Sequence, residues 1–273
     1  MRTLDPSAPH AADLAPLADR PWHLDTHRDA TAHLVRLGWT PCGVGDWAVG
    51  LRSPSGHLAA RVCPFDPAYA AFVELCRRCA GNPYLPRVER AEVLDGGGTL
   101  TILEFLAPLD GAKAVEVKRQ WDALPASAAG LPGTGGAGPT GLGTEPPRAA
   151  DGAAGKGAAG AATPLPALAD DPDFMAVYRA AHQVNAEFRA TMPWWDGIDL
   201  NEGNVRRALD GRTTLIDVFC MDGAALYAQV IADADVVRTR MGEEHTRHLL
   251  DIPYIARESS PEEIRVLREA WGR

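Results

Sequence analysis

The alternation of apolar and polar positions predicts a chain that mixes strands and helices. Between residues 39 and 105, short runs with the two-residue period of half-buried strands are separated by turns rich in glycine and proline. The predicted order is three strands, a helix that begins at Asp66-Pro67, and two more strands, Val88 to Leu94 and Thr99 to Phe105. This pattern predicts a small five-stranded antiparallel sheet in the first half of the chain.

Helical periodicity dominates the second half of the chain. Asp110 to Trp121 has a helical pattern, and Asp173 precedes a longer amphipathic helix as its predicted cap. Ala224 to Met241 is the longest helical candidate after it, and Ser260 is predicted to cap a final helix. We therefore expect an α+β fold in which a small sheet precedes a mainly helical remainder.

Two segments lack such patterns. Residues 1–25 carry acidic residues and no continuous apolar run, which predicts a disordered N-terminal tail and no signal peptide. Residues at about 124–168 are mostly Ala, Gly and Pro, with scarcely a charged or aromatic residue. Such a segment cannot bury enough apolar surface to offset the entropy lost on ordering, so we predict a disordered insertion that serves as a passive linker.

Composition narrows the classes of function. The 273 residues are 46% hydrophobic and 23% charged, as in globular proteins, and no window reaches the ~20 apolar residues of a membrane span. The net charge of −9 argues against nonspecific nucleic-acid binding. The five cysteines are an odd set in which Cys76 and Cys79 form a single CxxC, so we expect reduced, buried thiols in a cytoplasmic protein.

The candidate chemistry lies between residues 199 and 217. Asn204 follows Asp199 by five positions, and Asp217 follows Asn204 by thirteen. Asp210-Gly211 predicts a tight hairpin turn, which would bring Asn204 and Asp217 to the same end of two short strands. Carboxylate and amide oxygens are suitable ligands for a magnesium ion on polyphosphate oxygens.

In these residues, and in the order of the preceding elements, the chain resembles the protein-kinase-like superfamily. The resemblance implies a two-lobed fold, with a small lobe at residues 26–106 and a larger helical lobe at residues 107–273. It implies ATP and Mg²⁺ as cofactors, Asp199 as the residue that orients or deprotonates an acceptor hydroxyl, and Asn204 and Asp217 as metal ligands. The short C-terminal part is similar to compact bacterial or phage-type kinases and to antibiotic (aminoglycoside) phosphotransferases.

The same resemblance implies a set of nucleotide contacts. Gly43 and Gly45 fall in the loop with which the family covers the phosphates, and Glu104 and Leu106 fall at the hinge between the lobes. Arg61 stands where the family has the lysine that holds the α- and β-phosphates. Arginine keeps the positive charge but presents a larger, planar group.

Other positions depart from the family or leave their role open. Gly197 stands where the family has a histidine, and Val218-Phe219 replaces the Phe-Gly that follows the metal-binding aspartate. Glu74 is the natural partner of Arg61, but it lies about 160° from the middle of the apolar helix face, which suits a surface position equally. His245 and His248 could face one metal ion, although the sequence offers no further ligands beside them.

The predicted function is an ATP- and Mg²⁺-dependent phosphotransferase that acts on a hydroxyl of an unknown acceptor. The short C-terminal part and the acidic charge favour a small-molecule acceptor over a protein. A pseudokinase that regulates a partner by contact is the alternative, favoured by Arg61, the sparse glycine loop and the missing histidine. A metal-dependent hydrolase that uses the same carboxylates is disfavoured, because the small sheet would then have no role in the chemistry.

Overall fold

The computed structural model describes residues 10–129 and 167–272. The strands are β1 (Thr40–Val44), β2 (Val49–Arg52), β3 (Leu58–Cys63), β4 (Val88–Val93), β5 (Thr99–Glu104), β6 (Leu106–Pro108), β7 (Trp195–Ile198), β8 (Val205–Ala208), β9 (Thr213–Leu215) and β10 (Phe219–Met221). The helices are α1 (Ala11–Leu14), α2 (His27–Arg36), α3 (Pro67–Arg78), α4 (Gly111–Asp122), α5 (Pro172–Thr191), α6 (Gly223–Met241), α7 (Glu243–Thr246), α8 (Pro253–Glu258) and α9 (Pro261–Trp271).

The first five strands form one antiparallel sheet in the order β1-β2-β3-β5-β4. The predicted α+β class and its five-stranded antiparallel sheet are confirmed. Helix α3 leaves β3 where predicted, because the Asp66 carboxylate accepts the backbone N–H of Tyr69 and Pro67 occupies the first helical position. The helix therefore starts at a fixed point beside the end of β3.

One face of the sheet is covered by α2 and by the segment that precedes it. Leu17, Trp22 and Leu34 are buried with the inward residues of the sheet in one apolar cluster. Part of residues 10–25 is helical, which corrects the prediction of a disordered tail over this range; residues 1–9 lie outside the described residues. The apolar residues of this segment follow no helical or strand period, so their burial depends on the surface they meet.

The largest core lies between α3, α5 and the short strands of the second half. Phe72 and Leu75 from α3 meet Phe174 and Val177 from α5 in this cluster. The cap of α5 is Asp171 and not Asp173 as predicted, because Asp171 accepts two backbone N–H groups and precedes a proline at the first helical position. This is the same Asp-Pro start as in α3.

Most of the predicted disordered insertion, residues 130–166, lies outside the described residues. Both of its flanks are structured. Ala129 and Leu168 are buried in the core beside α5, and the backbone N–H of Leu168 donates to Gln120 Oε1 at 2.7 Å. The packed core therefore includes both ends of the segment that composition had marked as a linker.

Helices α6, α8 and α9 form a third apolar cluster with the segment between α7 and α8, joined by Phe65 from the loop before α3. Helix α7 lies against the β4–β5 turn, where a Cβ on Gly97 would stand 2.1 Å from the carbonyl oxygen of His245. Glycine is therefore required at this turn by close packing as well as by its positive φ of 85°. These contacts cross the boundary predicted at residue 106.

In the described ranges, no helix has both the length and the hydrophobicity of a membrane span.

Two small sheets link the large sheet to the helices. Strand β6, which follows β5 directly, pairs with β8 in a three-stranded sheet of order β6-β8-β9, and β7 pairs with β10. The segment predicted as a hinge thus joins the β8–β9 hairpin by backbone hydrogen bonds. Arg212, in the turn of that hairpin, donates to both carboxylate oxygens of Glu104 at 2.9 and 3.0 Å.

Removal of the Glu104 charge is expected to destabilise the protein. The Glu104 side chain keeps only 10% of its exposure and that of Arg212 keeps 31%, so Glu104→Gln removes the charge of the more buried partner of Arg212. We expect a loss of about 1–3 kcal/mol in the free energy of unfolding, measured by chemical denaturation. The matched control is Asp210→Asn, which removes an exposed partner of the same arginine and should cost less than about 1 kcal/mol. Equal losses in the two variants would contradict the structural role of Glu104.

Candidate functional site

A cavity of about 540 Å³ lies between the five-stranded sheet and the β8–β9 hairpin. The structure brings all eight of the predicted site residues to its wall: Gly43, Gly45, Arg61, Glu104, Leu106, Asp199, Asn204 and Asp217. These residues come from segments up to 174 positions apart in the chain (217 − 43). Their assembly depends on three local features, which are the hairpin, the β7–β10 pair and the contacts of Arg61.

The predicted hairpin is confirmed, and it joins Asn204 to Asp217. Val205 pairs with Leu215, and the backbone N–H of Ile216 donates to the carbonyl oxygen of Asn204 at 2.9 Å. The side-chain amide of Asn204 donates to the carbonyl oxygen of Asp217, also at 2.9 Å. Because the NH₂ group of Asn204 is used in this way, its amide oxygen remains as an acceptor on the cavity side of the hairpin.

The β7–β10 pair brings Asp199 to the same place. Asp199 follows β7, and its backbone N–H donates to the carbonyl oxygen of Val218 at 3.0 Å. Asp217, the residue before Val218, is thereby adjacent to Asp199 on the neighbouring segment. The Asp199 side chain is exposed to the cavity.

Gly197, where the resemblance led us to expect a histidine, is required by its backbone and its surroundings. It has a φ of 134°, and a Cβ there would lie 2.7 Å from the guanidinium of Arg189. That guanidinium donates to the carbonyl oxygen of Asp196 at 2.6 Å, and the Trp195 ring N–H donates to Asn185 at 2.8 Å. Side chains of α5 therefore support the segment before Asp199. A histidine at position 197 would displace the Arg189 side chain that takes part in this support.

Asp217 combines an uncommon backbone with an unfavourable charge environment. Its φ of 54° lies in the left-handed region, which non-glycine residues rarely adopt. Burial raises the pKa of the Asp217 carboxyl above its ordinary value, against the opposing effect of the Arg61 guanidinium. Neighbouring carboxylates raise this pKa further: Asp66, Asp199 and Asp46. The site thus holds an excess of negative charge that a bound cation would neutralise.

Arg61 provides positive charge opposite Asp217. Its Nη2 pairs with Asp66 and lies 3.7 Å from Asp217 Oδ2, and its guanidinium carbon lies 3.7 Å from the centre of the Tyr69 ring. The side chain keeps 13% of its exposure. Its second terminal nitrogen, Nη1, is buried and has no hydrogen-bond partner among the described residues. Arg61 therefore still has a donor to offer to a ligand.

Asp66 is the carboxylate that sequence reasoning missed as the partner of Arg61. Glu74, the candidate from the helix pattern, binds Arg77 and Arg78 on the outer surface instead. Asp66 had been assigned only as the cap of α3, and it performs both tasks because each of its oxygens meets a different donor. The available signal was its position five residues after Arg61, at the turn from β3 into α3.

The loop between β1 and β2, which carries Gly45 and follows Gly43 near the end of β1, is attached to the C-terminal helices. The carbonyl oxygen of Asp46 accepts the backbone N–H of Tyr254 at 2.8 Å, and its carboxylate pairs with Arg257 on α8. A Cβ on Gly43 would meet no atom of the described residues within 4 Å. The tip of this loop is thus held in place while the space beside Gly43 stays open.

The two hinge residues line the cavity in different ways. The Glu104 carboxylate is taken up by Arg212 and by the backbone N–H of Arg87 at 2.9 Å. Leu106 is half-buried and belongs to β6. The carboxylate of Glu104 and its backbone N–H, which donates to the carbonyl oxygen of Arg87 at 3.0 Å, are therefore both used within the protein.

The chain matched neither a protein-family model nor a curated protein in the comparisons made.

Loss of the Asp66 charge is expected to weaken the Arg61 contact more than the cap of α3. Asp66→Asn keeps an oxygen that can cap the helix but leaves Arg61, largely buried, with only the more distant Asp217. We expect the free energy of unfolding to fall by about 2–3 kcal/mol in chemical denaturation. Glu74→Gln, which removes a carboxylate from the exposed face of the same helix, is the control and should cost less than about 1 kcal/mol. A larger loss in Glu74→Gln would overturn this assignment of the two carboxylates.

Proposed function

We propose that the chain is an ATP- and Mg²⁺-dependent phosphotransferase with a two-lobed, protein-kinase-like fold. One observation carries this function. Asp199, Asn204 and Asp217, spaced as in that superfamily, meet at the wall of a cavity that Arg61, Gly43 and Gly45 also line. In this interpretation the five-stranded sheet covers the nucleotide, and β6 connects it to the part that carries the three polar residues.

The donor set around Asp217 fits a magnesium ion. Asp217 offers a carboxylate and Asn204 an amide oxygen, and both are hard oxygen ligands of the kind that magnesium prefers. The concentration of carboxylates that raises the pKa of Asp217 also favours a cation beside it. ATP bound with Mg²⁺ would supply the phosphoryl group, with its charge partly neutralised by the metal.

The residues opposite Asp217 suit the phosphates of a nucleotide. Arg61 has an unused N–H donor at Nη1, which a phosphate oxygen would satisfy. The open space beside Gly43 permits close approach of a phosphate to the backbone, which a larger side chain would obstruct. The cavity wall thus offers a positive charge and a free donor to a phosphate group.

Asp199 is suited to act on the acceptor hydroxyl. Its carboxylate is exposed in the cavity, and its backbone is fixed next to Asp217 by the bond to Val218. A carboxylate so held would orient the hydroxyl and accept its proton as the bond from the hydroxyl oxygen to the γ-phosphorus forms and the bond from that phosphorus to the leaving ADP breaks. The net charge of −9 is in keeping with a small-molecule acceptor.

A catalytically silent nucleotide-binding module, the pseudokinase alternative, is favoured by a specific observation. The Arg61 guanidinium is already engaged by Asp66 and lies close to Asp217, so it competes with a metal for that carboxylate. An arginine is also a poorer match than lysine for a single phosphate oxygen in a confined site. Nucleotide binding and phosphate transfer therefore have to be measured separately.

The test first measures ATP binding by thermal shift, with Mg²⁺ or with a chelator. It then measures phosphate transfer from labelled ATP to water or to a panel of small hydroxyl compounds. We expect ATP to raise the melting temperature of the wild type more strongly with Mg²⁺ than without. Asp217→Asn should lose this Mg²⁺ dependence because a metal ligand is removed. Asp199→Asn should keep ATP binding and lose about 10²–10⁴-fold in transfer rate.

Asp196→Asn is the matched control, since it removes another exposed carboxylate three residues from Asp199 and should leave both measurements unchanged. ATP stabilisation without transfer in the wild type would select the pseudokinase. Absence of any ATP response would refute nucleotide binding altogether.

A further inference from the structure

Two imidazoles and a carboxylate meet in a cluster whose residues do not line the cavity. His27 is the first residue of α2, while His248 and Asp251 lie between α7 and α8. The His27 and His248 rings are edge to face with centroids 4.8 Å apart, and Asp251 Oδ2 lies 3.1 Å from His248 Nδ1 and 3.9 Å from His27 Nε2. His248 thus faces His27, whereas His245, its predicted partner, is exposed to solvent.

Two ring nitrogens of this cluster are buried without a hydrogen bond to the described part of the protein. His27 keeps only 9% of its exposure, and the side chain of His248 keeps 15%. His27 Nδ1 and His248 Nε2 are buried, and neither has a hydrogen-bond partner within the described part of the chain. Buried polar atoms without partners are uncommon and are stabilised when a ligand occupies the site.

The glycine-rich β4–β5 turn makes room for these imidazoles. Gly96 has a φ of 76°, and a Cβ on it would lie 2.4 Å from Cδ2 and 2.7 Å from Nε2 of His248. A Cβ on Gly98 would lie 3.6 Å from that of His27. Any other residue at position 96 would displace His248 from the cluster, so the turn and the histidine form one packed unit.

We propose that His27, His248 and Asp251 bind a divalent cation of the zinc type. One ligand atom from each residue lies within 4.8 Å of the other two. In a tetrahedral zinc site with bonds of about 2.1 Å, ligand atoms are roughly 3.4 Å apart, so small side-chain rotations close the gap. Two imidazoles and one carboxylate are borderline ligands that suit zinc, and water would complete the coordination.

One neighbouring cation has to move when the ion binds. Arg28 Nη2 lies 3.3 Å from Asp251 Oδ2, but its side chain is 74% exposed and can turn into solvent. The bound ion would join the start of α2 to the segment after α7 and so stabilise the attachment of the C-terminal helices to the sheet. This site is separate from the proposed magnesium site and does not depend on phosphoryl transfer.

The test uses the full chain, stripped with a chelator and then titrated with Zn²⁺ or Co²⁺ without nucleotide. We expect one ion per chain, a visible Co²⁺ spectrum typical of four-coordinate geometry, and a rise in melting temperature with Zn²⁺. His248→Gln and Asp251→Asn should each lower the affinity by at least the roughly 10–100-fold that the loss of a supporting group costs. Circular dichroism without metal verifies that each variant is folded.

His245→Gln is the matched control, because it removes an exposed histidine three residues from His248. It should bind Zn²⁺ as the wild type does. Asp217→Asn should also retain binding, which separates this site from the cavity. The proposal fails if Zn²⁺ neither binds nor stabilises the wild type, or if His248→Gln and Asp251→Asn bind as tightly as His245→Gln.

Discussion

The Arg61 guanidinium is the charge on which the arrangement of the cavity depends. It extends from the middle of the large sheet, lies on the ring of Tyr69, and draws together carboxylates from the start of α3 and from the end of the hairpin. Without this positive group, Asp66 and Asp217 would repel each other in a poorly hydrated space. The strength of such a contact follows from its partial burial, since a charge removed from water must be compensated locally.

The polar residues opposite Arg61 are positioned by backbone hydrogen bonds rather than by their own side chains. The β8–β9 hairpin and the β7–β10 pair set the spacing of Asp199, Asn204 and Asp217 before any ligand is present. Within the described residues, Asn204 adds a side-chain hydrogen bond to the carbonyl oxygen of Asp217, and Asp217 adds its charge contact with Arg61. A site built on paired strands in this way is preorganised, so less ordering is required when a charged ligand binds.

The C-terminal helices connect parts of the chain that the linear pattern keeps apart. They contact the β4–β5 turn through close backbone packing at Gly97, and they hold the β1–β2 loop through the Asp46–Arg257 pair. The glycines at positions 96 and 97 are needed because a helix and an imidazole approach the turn closely. The C-terminal part of the chain therefore contacts the edge of the cavity and also supplies His248 and Asp251 to the His27 cluster.

Elements whose signals are local could be predicted from the order of the residues. Alternation predicted the five strands, Asp66-Pro67 predicted the start of α3, and Asp210-Gly211 predicted the hairpin that joins Asn204 to Asp217, because turn and cap preferences act over a few residues. The contacts between distant groups were visible only in the folded chain. Folding placed Asp66 rather than Glu74 beside Arg61, buried Leu17 and Trp22 of the presumed tail, and paired His248 with His27. Such contacts depend on the facing surface, which no period along the chain encodes.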